Sequence, residues 1–119
     1  MKLTATLIFL LGVTYLFGQS DQSPLWMRYP AISPDGTTIA FNYKGDIYLV
    51  GSDGGQARPL TTHKDHDFMP TWSPDGKTIA FASNRHGNYD IYTMPAQGGA
   101  ATRLTFHSSG DYPCSVDEN

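Results

Sequence analysis

Two kinds of apolar patterning divide the chain. Leu3 to Phe17 is a mostly apolar run behind the single positive charge of Lys2. From Pro24 onward the apolar residues come in short β-forming runs separated by clusters of Gly, Pro, Asp and Ser. In Thr38-Ile39-Ala40-Phe41 the side chains alternate, so Ile39 and Phe41 share one face of a predicted strand and Ala40 the other. Thr78-Ile79-Ala80-Phe81 has the same pattern, and the small alanine faces would let a neighbouring sheet approach closely.

These runs belong to a repeat. Ile32-Ser33-Pro34-Asp35-Gly36 precedes the first, and Trp72-Ser73-Pro74-Asp75-Gly76 precedes the second, forty residues on. Ser-Pro-Asp-Gly matches a type I turn position by position, with proline presetting φ and glycine supplying φ > 0 at its end. Each copy therefore predicts a hairpin with a glycine bulge. The match continues. Asp46-Ile47-Tyr48-Leu49-Val50 corresponds to Asp90-Ile91-Tyr92-Thr93-Met94, Gly54-Gly55 to Gly98-Gly99, and Arg58 to His63 pairs with Thr102 to His107. The offset grows to forty-four because Ser83 to Tyr89 is a longer loop than Asn42 to Gly45. A period of about 40–45 residues is that of a four-stranded propeller blade. The predicted fold is all-β: two four-stranded antiparallel blades of an incomplete propeller, after a cleavable signal peptide.

The order Trp-Ser-Pro-Asp-Gly-Lys, Ile-Ala-Phe-x-Ser, Asp-Ile-Tyr, Gly-Gly and Arg-Leu-Thr resembles the WD-like propeller repeat of TolB and the tricorn proteases. The lead-in from Pro24 to Gly36, directly after a leader, is similar to the start of secreted bacterial tricorn-type peptidases. The resemblance implies an N-terminal propeller fragment of an exported serine peptidase. Its blades would gate or bind peptide substrate, and a separate later domain would carry the nucleophilic serine. The alternative it implies is a periplasmic TolB-type module for protein–protein interaction.

The expected organisation is a signal peptide over residues 1–18 and a linker with a lead-in strand over 19–28. Blade one takes 29–62, and an interblade loop with blade two takes 63–106. The start of a degenerate or truncated third blade occupies 107–119. In that last piece Tyr112-Pro113 aligns with Met69-Pro70, and the repeat then breaks off at Cys114. The leader's apolar run is shorter than the ~20 residues that span a bilayer, so cleavage after Gly18 and export are expected, with no stable membrane anchor. About a hundred residues remain after cleavage. Two blades fall short of the four or more that close a propeller. The remaining blades are therefore expected as partners that complete the fold.

A net charge of −3 without a basic stripe gives no reason to expect nucleic acid. Cys114 is the single cysteine, so no internal disulfide is possible, and nothing near it in sequence would activate a thiol. His63, Asp65, His66 and Asp67 are metal ligands by type, but their spacing matches neither a zinc nor a calcium motif. Asp35, Asp75, Asp46 and Asp90 recur at equivalent positions, which points to turn and strand-start roles over acid–base catalysis. No Gly-x-Ser-x-Gly elbow, dinucleotide fingerprint or phosphate-binding loop is present. The sequence therefore nominates no catalytic residue, cofactor or metal. The nominated contacts to a peptide or protein partner are Arg85, His86 and Tyr89 in the longer loop, because loops at one end of a propeller commonly carry binding.

Overall fold

The computed structural model describes residues 26–117. The expected signal peptide, most of the expected linker, and Glu118-Asn119 lie outside the described residues. The chain folds as two four-stranded antiparallel meanders. Blade one contains β1 (Arg28–Ile32), β2 (Thr38–Tyr43), β3 (Asp46–Gly51) and β4 (Arg58–Pro59). Blade two contains β5 (Asp67–Trp72), β6 (Thr78–His86), β7 (Asn88–Pro95) and β8 (Thr102–Arg103). Strand order follows chain order in both sheets, and no described residue is helical.

The two Ser-Pro-Asp-Gly turns form one bonding network twice. Gly36 N–H donates to Ser33 O and Gly76 N–H to Ser73 O, both at 2.9 Å, closing the turn. Gly36 and Gly76 take φ of 74° and 70°, which glycine reaches without strain. Ser33 Oγ donates to Asp35 Oδ1 and Ser73 Oγ to Asp75 Oδ1, both at 2.6 Å. The Thr37 and Lys77 N–H groups donate to the same carboxylates. These bonds, the serine hydroxyl's first, hold the Asp35 and Asp75 carboxyls below the usual range.

The blade interface follows from the alternation of side chains. Ala40 pairs across the ladder with Leu49, and Asn42 with Ile47, on one face of blade one. Ile79 pairs with Met94, and Phe81 with Tyr92, on one face of blade two. Ala40, Ile47, Leu49 and Leu60 join Ile79, Phe81, Tyr92 and Met94 in a single buried core. The small side of one blade thus receives the bulky side of the next. The phenylalanine–tyrosine stack itself repeats: Phe41–Tyr48 and Phe81–Tyr92 both have centroids 5.9 Å apart at 21°.

Asn42 Nδ2 donates to Asp67 O at 2.6 Å and Arg58 Nη2 to Ala96 O at 2.9 Å across this interface, and two further polar latches accompany them. Trp72 Nε1 donates to Ala31 O at 2.9 Å, and Asp67 N–H donates to Gly45 O at 2.8 Å. The second recurs as Asp111 N–H to Tyr89 O at 2.8 Å. The chain after β8 therefore docks on blade two as β5 docks on blade one. That bond places Asp111 in Asp67's position and Tyr112 in Phe68's, one residue away from the alignment of Tyr112 with Met69. The reason is a bulge. Both inner strands carry one, between Arg28 and Ala31 and between Phe68 and Thr71, with Tyr29 and Met69 at φ of 52° and 55°. The segment at Tyr112-Pro113 reaches its proline with one residue fewer.

Candidate functional site

The meander sends the Ser-Pro-Asp-Gly and Gly-Gly turns to one end of the blades. The β2–β3 and β6–β7 hairpins and the β4–β5 connection go to the other. All four histidines, His63, His66, His86 and His107, fall at this second end. A groove of about 370 Å³ opens there between the starts of β1 and β5, lined by Trp26, Arg28, Tyr29, Lys44, Phe68, Tyr89 and their neighbours.

Phe68 is the hub of the groove. Its ring lies 4.8 Å from Tyr89, 5.5 Å from Tyr29 and 5.8 Å from Tyr112, all edge-to-face, and stacks on His66 at 5.1 Å. Such contacts add to area burial and orient the rings. His66 is held at both ends: its N–H donates to Asn84 Oδ1 at 2.8 Å, and Nδ1 meets Tyr89 Oη at 3.0 Å. The approach of His66 depends on Gly45, where an added Cβ would sit 3.3 Å from the imidazole. Arg28 lies over the Trp26 ring at 5.5 Å and Lys44 over the Tyr43 ring at 5.3 Å. The three ion pairs found among the described residues involve neither cation.

Behind the groove lies a buried charged layer. Asp67 and Asp90 are 0 % exposed. Arg85 reaches Asp67 at 2.8 Å, and Arg103 reaches Asp90 at 2.7 Å. Arg85 Nε also donates to Ser83 Oγ at 3.0 Å, and its guanidinium covers Phe81 and Tyr92 at 5.4 and 5.1 Å. Asp46 is the counterpart of Asp90, but proline at position 59 stands where blade two has Arg103. Burial and then the charge of Asp67 push the Asp46 carboxyl up, against a hydrogen bond from Thr61.

The three residues nominated from the longer loop lie in strands, Arg85 and His86 at the end of β6 and Tyr89 at the start of β7, and they diverge. Tyr89 forms a wall of the groove. Arg85 turns inward to Asp67 and borders a separate cleft with Leu60, His63 and Met94. His86 projects at the hairpin tip, with Nδ1 against Tyr92 Oη. The side chains considered as metal ligands also part company: His63 pairs with Asp65, His66 with Tyr89, and Asp67 with Arg85. Cys114 is exposed. The sequence reading missed Trp26, Arg28, Tyr29, Lys44 and Phe68 as groove residues. The one available signal was an aromatic residue near the start of β1, at Tyr29, and of β5, at Phe68.

Comparison with known proteins agrees with this architecture. The family described as the tricorn protease N-terminal β-propeller domain matches residues 24–117. Tricorn protease homolog 1 of Streptomyces coelicolor is 34% identical over 87 residues, covering 73% of this chain and 8% of that protein. A TolB homolog of Chlorobium luteolum is 41% identical over 58 residues, covering 49% of this chain and 13% of its own length. Among solved structures, TolB from Acinetobacter baumannii superposes with a TM-score of 0.59 at 29% identity, covering 73% of this chain and 23% of that one. The chain thus spans a small part of the relatives it matches.

Proposed function

The chain belongs to the tricorn protease N-terminal β-propeller family, and from that premise we propose that it is the peptide-handling propeller portion of an exported tricorn-like serine peptidase. The family match over residues 24–117 carries this reading, and the aromatic groove at the histidine-bearing end supports it by offering a place for an extended peptide. Gating or binding of substrate is assigned to these blades, and bond cleavage to another part of the parent protein. The hydroxyls of the buried serines Ser33 and Ser73 engage turn aspartates and that of Ser83 engages Arg85, so none of these three is activated by a histidine. The apolar run from Leu3 to Phe17 supports export to the periplasm or beyond.

A second reading, a TolB-like module that binds protein partners, is favoured by the likeness to the Acinetobacter structure. One experiment separates the two. The purified chain is titrated with labelled unstructured peptides and with folded periplasmic proteins, while release of peptide fragments is followed. The first reading expects saturable binding of peptides without hydrolysis. Hydrolysis by the purified chain would overturn the division of labour, and binding confined to folded proteins would favour the second reading.

A further inference from the structure

The groove has a chemistry that general peptide handling does not require. Its lining combines aromatic rings with two cations and includes no carboxylate: Trp26, Tyr29, His66, Phe68 and Tyr89 beside Arg28 and Lys44. Neither cation takes part in any of the ion pairs found among the described residues, and each rests on an aromatic face that orients it. The buried carboxylate that precedes Phe68, Asp67, is paired with Arg85. Trp26 remains 72% exposed and Tyr29 44%, so the apolar surface is open.

The backbone adds an independent observation. Four non-glycine residues among those described have positive φ, and three of them line this groove: Trp26 at 79°, Tyr29 at 52° and Lys44 at 49°. Lys44 is the first residue of a two-residue hairpin whose second is Gly45 at 88°, the arrangement in which Asn or Asp normally takes the first place. A long cationic side chain is thus held in a conformation that side chains rarely adopt, at the mouth of an aromatic groove. The Tyr29 value belongs to the bulge that Met69 repeats, whereas that of Lys44 has no counterpart among the described residues of blade two, and strain of this kind concentrates at ligand-binding positions.

We infer that this groove recognises an acidic peptide segment, taking one aromatic or large apolar side chain against Phe68 and Tyr89 and pairing the flanking carboxylates with Arg28 and Lys44. The inference rests on the peptide-handling reading and names its substrate class. Aromatic side chains supply the contact area, and the two cations, which pair with no carboxylate among the described residues, supply the selection by charge.

The test uses the full chain and fluorescence anisotropy with four labelled probes. These are an acidic peptide centred on one tyrosine, its Lys/Arg counterpart, the acidic peptide with glycine for tyrosine, and a single-stranded RNA of similar length. All peptides are acetylated and amidated, so no terminal carboxylate contributes. The acidic tyrosine peptide should bind about tenfold or more tighter than either peptide control, a difference of about 1.4 kcal/mol, and should weaken as salt rises. Arg28→Gln and Lys44→Gln should each weaken it several-fold, whereas Arg28→Lys should retain most of the affinity. Far-UV circular dichroism checks that the variants fold. Equal binding of acidic and basic peptides would overturn the charge preference and leave peptide handling standing. Absence of binding by any peptide would remove both. Tighter binding of the RNA than of the acidic tyrosine peptide would overturn the inference in favour of a different ligand class.

Discussion

Replacing Arg85 by methionine separates a structural arginine from a binding one. Asp67 is fully buried, its Oδ2 is 2.8 Å from Arg85 Nη2, and its Oδ1 has no protein donor. Arg85→Met keeps an apolar stem against Phe81 and Tyr92 but strands the carboxylate. Breaking a buried pair from one side costs about 3–5 kcal/mol. The side chain of Arg85 is 16% exposed, so water can reach the layer and the lower end of that range applies, about 3 kcal/mol. The lost Nε–Ser83 bond is included in this figure, at about 1 kcal/mol. The assay is urea unfolding, followed by far-UV circular dichroism and tryptophan emission. With a slope of about 1–3 kcal/mol per molar urea, the midpoint should fall by about 1–3 M. Adding Asp67→Asn to Arg85→Met removes the stranded charge and should recover most of the loss. A midpoint within about 0.3 M of the parent, or a double variant no more stable than the single one, would refute the reasoning. Arg85 would then be free for an external partner.

Three further outcomes follow from the interface and from the shifted carboxyls. Trp72→Phe removes the bond to Ala31 O while keeping the ring, and should cost about 0.5–1.5 kcal/mol in the same urea assay. Burial raises the Asp46 carboxyl, so its charged form opposes folding and its contribution improves as pH falls through the raised value. Asp46→Asn should therefore melt higher than the parent at pH 7, with the gap closing toward pH 4. Asp75 has the opposite sign. Its lowered carboxyl stabilises the fold above the unfolded value of 3.8, and that contribution is lost as pH falls through the folded value. Asp75→Ala should melt lower at pH 7, and its deficit should shrink below pH 3.8.

The frame was legible because each blade solves the same local problem with the same residues. Ser-Pro-Asp-Gly specifies a turn through contacts two to five residues apart, so the bonds of Ser33 reappear at Ser73, and only the Thr37 hydroxyl adds one to Asp35 that Lys77 does not make to Asp75. The alanine faces were legible too, since alternation alone assigns Ala40 to the side that meets blade two. The site was less so. Arg85 was offered as an outward loop residue, but it folds back because Asp67, distant in sequence, is buried without another countercharge. The groove unites the starts of two inner strands with two hairpins, and no local pattern announces that juxtaposition. Tyr112 shows the same limit, since its place is decided by the bond from Asp111 to Tyr89 O and not by the proline that follows.

A repeat protein divides its positions between frame and function in a way that comparing the two copies exposes. Where the copies agree, as at Thr61 and Thr105, whose hydroxyls accept the N–H groups of Ile47 and Ile91, the residue maintains a blade. Where they differ, one copy acquires a contact the other cannot make. Ile32 stands in the position of Trp72 and has no N–H with which to latch a neighbour. Pro59 stands in the position of Arg103, which leaves Asp46 without the cation that Asp90 has. Arg28 stands in the position of Phe68. In one blade that strand start contributes a cation to the groove, and in the next it contributes the aromatic hub. The groove's mixed character therefore arises in part from divergence at this repeated position, with Lys44 of the β2–β3 hairpin supplying the second cation.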